Sequence, residues 1–254
     1  MNALLMQSVL KFPKEKTLSA ESHTLVKAAE RVEYLKLVFA WTFGGLIVAG
    51  VSAVLMASFV LLTASTGITF FTNPWVCLAI ILGCFGITQW VAPKMVFGVH
   101  KALGFGIGAI FEGISMGYLL LAAVGMGVAN DNPLGMITMA MMLTSLTGLG
   151  VTAYVWSNPR EFNLLGAALA ALFLPMLILM GVGLVFPALF GGVSGIVLSG
   201  VFVAVSVASL LYQVNCTIHK LDTSQYIEGA FLVMMGLLVL FWNILVLLMK
   251  LDRR

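Results

Sequence analysis

Glu112 is the residue whose placement most demands explanation. It stands halfway along an unbroken apolar run, in Phe111-Glu112-Gly113-Ile114-Ser115-Met116-Gly117. A carboxylate near a bilayer centre costs about 2.5–3.5 kcal/mol on insertion scales, so it must face protein or water. Two readings follow: a carboxylate that handles a proton or cation inside a bundle, or a protonated side chain bonded to a neighbouring helix. Asp222 is the second acid of interest, in His219-Lys220-Leu221-Asp222-Thr223-Ser224-Gln225. Gln225, three residues later, gives a capping-box spacing for a following helix, so Asp222 can act at a pathway mouth or simply cap. Asn243, inside the last apolar run, is an amide suited to a polar contact between helices.

Other chemistry is weakly marked. Cys77, Cys84 and Cys216 lie in apolar runs without metal spacing and read as small hydrophobes. Met136, Met139, Met141 and Met142 read as gap fillers, and His23 and His100 as solvated. Gly104, Gly106 and Gly108 superficially suggest a nucleotide loop but follow no strand. No nucleophile–base pair or zinc pattern stands out, so neither enzymatic activity nor a cofactor is expected.

The elements that position these residues follow from composition. Of 254 residues, 61% are hydrophobic and only 9% charged, and the mean hydropathy is +1.09. A soluble domain carries about 25% charged residues. The expected partner is the lipid bilayer, and nucleic acid is excluded. Seven runs are long enough to cross: 37–58, 74–93, 102–125, 134–156, 164–186, 193–216 and 229–249. The stretch 59–72 extends the first helix or packs at the surface. Residues 1–36 read as a polar, cytoplasmic tail, amphipathic around Leu25, Val26, Ala29 and Val32, rather than a cleaved signal. The membrane domain then spans 37–251.

Asn73-Pro74, Asn132-Pro133 and Asn158-Pro159 are expected to start helices, with Asn capping and Pro at the first position. Pro93 is expected to close the second run, and Pro175 to bend the fifth, for packing or gating. Gly113-xxx-Gly117 and Gly195-xxx-Ser199 predict close helix packing. Ten Lys and Arg fall on one side, in the tail and at Lys94, Lys101, Arg160 and Lys220, while loops 59–73, 126–133 and 187–192 have none. That asymmetry puts the N-terminus in the cytoplasm. An odd number of spans sends Lys250, Arg253 and Arg254 outside. The length of the last run favours that arrangement over one that does not fully cross.

Taken in order, several motifs resemble the Bax inhibitor-1 family. They are Glu112-Gly113 with Met116-Gly117, Thr152-Ala153-Tyr154, Arg160-Glu161-Phe162 with Leu165-Gly166, Leu221-Asp222-Thr223, and Trp242-Asn243-Ile244 through Lys250. The resemblance covers about residues 33–251. It implies an all-α integral membrane fold, a seven-helix bundle with the last helix central. It also implies a pH-sensitive calcium leak, cytoprotection, or modulation of a membrane protease. The family ties the leak to two aspartates and a basic latch. Asp222 matches the first aspartate; the second falls at Leu240, so a paired-carboxylate sensor cannot form from these positions. Glu112 is a substitute partner, and Lys94 or Lys101 the latch. A cation leak, calcium by resemblance, is the leading expectation and a non-conducting scaffold for a protease or stress response the rival. A proton-coupled transporter predicts an inverted repeat that is not evident. A bacterial inner membrane is expected, as there is no retention signal.

Overall fold

The computed structural model describes residues 15–129, 131–158, 165–166, 168–169 and 192–252, with side chains from residue 29 onward. Among these residues all regular structure is helical. Six helices are long and apolar enough to cross a bilayer. The fifth expected run, 164–186, and with it Pro175, lies essentially outside the described residues, so the count of seven is not confirmed.

Helix α1 runs from Glu15 to Ser65. At 51 residues it is about 76 Å long, far more than one bilayer core. The expected boundary at residue 36 falls inside it: residues 15–36 and the first span are one helix. It stops where Gly67, at φ 85, takes the left-handed turn. Ile68 N–H then donates to Thr63 O and Gly67 N–H to Ala64 O, which satisfies the last carbonyls. A short 3₁₀ turn, Phe70–Thr72, follows, and Phe71 packs edge-on against Phe59 of α1. Thus the stretch 59–72 divides between helix extension and surface packing.

Helix α2 spans Pro74–Val96. Asn73 accepts from Trp75 N–H at 3.0 Å with Pro74 at the first position, as the Asn-Pro spacing predicts. Pro93 does not close this helix. A π turn, Ile87–Val91, precedes it, and the rod continues to Val96. The wider turn shifts the hydrogen-bond register just before a residue with no N–H to give.

Helix α3 is Lys101–Ala129 and α4 is Gly135–Ser157. Asn132-Pro133 does not begin α4, whose N-cap is Leu134. Asn132 N–H instead donates to Gly127 O and finishes α3, with Asp131 at φ 55 reversing the chain. Asn158 likewise closes α4, donating to Tyr154 O from both backbone and side chain. Helix α5, Gly192–Lys220, ends in a second π turn, Cys216–Lys220. Helix α6 is Tyr226–Asp252.

The core is organised along α6. Its first half (Ile227, Ala230, Phe231, Met234, Leu238) packs with α1, α2 and α3. Its second half (Leu240, Ile244, Leu245, Met249) packs with α4 and α5. The last helix is therefore the axis of the described bundle. Small residues set the spacing: Gly113 and Gly117 lie directly on the Ala49 and Ala53 carbonyls of α1, so any Cβ there would strike backbone. The outer face is apolar. Phe43, Ile47 and Leu55 are each 65% exposed, which suits acyl chains rather than water. Met139, Met141 and Met142 also face outward instead of filling core gaps. Lys250 Nζ donates to Gly195 O at 3.1 Å, so α6 ends beside the start of α5, at the end of the bundle away from Lys101.

Candidate functional site

One end of the bundle gathers Arg31, Lys36, Lys94, Lys101 and Lys220. The order of helices places the tips of α2 and α5 and the starts of α3 and α6 there. Glu228 stands in the first turn of α6 and is only 2% exposed. Lys101, the first residue of α3, reaches it with Nζ–Oε1 at 2.6 Å. The helix start also favours negative charge through its unpaired N–H groups. The second carboxylate oxygen of Glu228 is buried without a hydrogen-bond partner.

Around this pair, α1 is pinned to the α5–α6 connection. Tyr34 Oη donates to Thr217 O at 2.9 Å. Arg31 Nη1 donates to Leu221 O at 2.8 Å, and Nη2 to Ile218 O and Thr217 O. A guanidinium here satisfies carbonyls left open at the end of α5. Gly229 makes the approach possible, because a Cβ there would stand 2.7 Å from Tyr34 Oη.

One turn deeper the chemistry changes. Phe231 and Phe105 pack at 6.4 Å between centroids, and Phe231 fills the space beside Gly108 and Ala92. Beyond this aromatic layer lies Glu112, 8% exposed. Thr88 of the α2 π turn stands beside its carboxylate, with the Thr88 hydroxyl donating to Phe85 O at 3.1 Å. Ser115 Oγ donates to Glu112 O at 2.7 Å. Lys101 and Glu112 are eleven residues apart, about three turns and about 16 Å along one face of α3. Charge, aromatic plug and buried acid therefore stack along a single seam.

The other expected residues separate from this seam. Asp222 is exposed between α5 and α6. Its N–H donates to Gln225 Oε1 at 3.2 Å, and Gln225 N–H donates to Asp222 O. Half of the capping box is thus present, but α6 starts at Tyr226, so Asp222 is not its N-cap. Exposed Asp222 and buried Glu112 do not form a carboxylate pair. Lys94 is exposed on the last turn of α2. Lys101 holds an acid, though that acid is Glu228 rather than Asp222. Asn243 Nδ2 donates to Ser206 Oγ across α5 and α6 at 2.8 Å. Leu240 is completely buried in the apolar half.

A family model described as "Inhibitor of apoptosis-promoting Bax1" matches residues 31–253. The chain belongs to the Bax inhibitor-1 family. It is therefore an integral, multi-pass membrane protein, and its surroundings are a lipid bilayer. An uncharacterized protein of Pseudomonas aeruginosa is 34% identical over 106 residues, 41% of this chain. The chain spans about half (46%) of that relative's length. No solved structure matches. Within this Bax inhibitor-1 protein, sequence reasoning missed Glu228, Arg31 and Tyr34. Glu228 lies one residue before the apolar window drawn for the last run. Its partner is 127 positions away, and no local pattern reveals such a pair. A signal was nevertheless available for Glu228, as an acid at the head of a long apolar run stands where a helix start would hold it.

Proposed function

We propose that this protein is a passive cation leak, with calcium as the cation implied by the family, closed in the conformation described here. What carries the reading is the seam along α3: two buried carboxylates, Glu228 beside its start and Glu112 farther along it, on either side of the Phe105–Phe231 layer. Buried acids inside a membrane bundle are costly and mark ion or proton routes. Lys101 is the latch at the basic end, Asp222 gathers cations at the mouth, and Glu112 is the inner site. In this reading the leak is pH-sensitive, as the family implies, and opening parts Lys101 from Glu228 and frees the seam. Tyr34 and Arg31 of α1 and Thr217 of α5 are the polar groups beside that pair. By the positive-inside asymmetry the basic end and residues 1–36 are cytoplasmic, the C-terminus is external, and the membrane is a bacterial inner membrane. The activity is non-enzymatic.

A second reading is favoured by Leu240, a fully buried apolar side chain where the family's leak has its second acid. In it the protein is a non-conducting scaffold that modulates a membrane protease or a stress response. Calcium-loaded liposomes separate the two. The leak reading expects efflux across neutral pH that Glu112→Gln and Asp222→Asn each abolish or strongly reduce. Efflux no faster than from empty liposomes at every pH would sink it and leave the scaffold.

A further inference from the structure

An apolar groove of about 390 Å³ opens between α1 and α3 on the outer face of the bundle. Ala40, Trp41, Gly44 and Val48 line one side, with Ala102 and Gly106 on the other. None of the described residues covers it: a Cβ built at Gly44 or Gly106 meets no atom within 4 Å. Trp41 stands edge-on against Phe105, with centroids 5.3 Å apart, and gives the groove a rigid wall.

We propose that this groove holds an acyl chain of an anionic glycerophospholipid, with its phosphate between Lys36 and Lys101. Three observations select this occupant. The groove faces the bilayer, so hydrocarbon is what it meets. Lys36, Ala40, Gly44 and Val48 follow one another at four-residue spacing on one face of α1, with Lys36 exposed at the basic end. From Lys36 to Val48 is about 18 Å of helix, close to one leaflet of a core about 30 Å thick. The charge is also complementary. Lys101, next to Ala102, keeps 39% of its side chain exposed while it holds Glu228, and an ammonium has further hydrogens to give. Basic clusters at the end of an interhelical groove suit anionic headgroups. Glu33, exposed three residues before Lys36, lies farther from the groove. The site does not depend on ion conduction.

The test is native mass spectrometry of the full chain in detergent, titrated with phosphatidylglycerol and with phosphatidylcholine of the same acyl chains. One phosphatidylglycerol should bind in preference, and Lys36→Gln should reduce that preference about fivefold. Gly44→Leu and Gly106→Leu, which fill the groove without striking the fold, should each weaken both lipids about tenfold. Equal binding of the two lipids, unchanged in all three variants, would mean ordinary annular lipid and overturn the proposal. A dimer that Gly106→Leu splits while lipid binding stays the same would overturn it in favour of a second copy.

Discussion

The two halves of α6 sit in the same bundle yet solve different problems. From Tyr226 to Leu238 the helix carries a buried acid, answered by Lys101, and its Gly229 and Ala230 carbonyls accept from Thr217 of α5 and Thr42 of α1. From Leu240 to Met249 it is apolar, and its polar link across the bundle is Asn243 to Ser206. Charge is tolerated at the helix start because a partner and the helix dipole are both at hand. In the second half neither is present.

The contrast breaks most severely if the charged half loses its partner. Lys101→Met leaves Glu228 buried and uncompensated, and should cost about 3 kcal/mol. Thermal unfolding in detergent checks this, and the double variant with Glu228→Gln should recover most of the loss. Placing an acid in the apolar half attacks from the other side. Leu240→Asp should destabilise by about 2.5–3.5 kcal/mol, read by the same melting assay, and a neutral Leu240→Asn should cost less. Asn243→Leu removes a single interhelical hydrogen bond and should cost about 0.6–1.7 kcal/mol, with Ser206→Ala no worse. The smallest effect is expected from Asp222→Asn. Its side chain is exposed, so stability should change by no more than about 0.5 kcal/mol. A large loss there would mean that the α5–α6 connection carries charge that belongs to the seam.

Much of the architecture was legible because lipid imposes a simple rule. Six of the apolar runs correspond to the six described spans, most of them somewhat longer than the run, while Gly135–Ser157 matches its run in length and is shifted by one residue. Glu112 was legible for the same reason, as a lone acid in apolar sequence. The Gly113-Gly117 spacing also foretold a close crossing, here against Ala49 and Ala53. Punctuation was harder. Asn73-Pro74 caps a helix, but Asn132-Pro133 finishes the preceding one, because Asp131 reverses the chain first. Pro93 was absorbed by a π turn that no propensity scale marks. The Lys101–Glu228 contact stayed hidden for a different reason: each residue resembles an ordinary loop charge until the tertiary fold brings two helix starts together.

The unbroken length of α1 has a mechanical consequence. A jointed tail would go slack under load, whereas a single rod turns as a whole. Any protein that grips residues 15–28 therefore holds a lever, with its fulcrum where Arg31 and Tyr34 clasp the end of α5. A small swing outside the membrane becomes a twist applied next to Glu228.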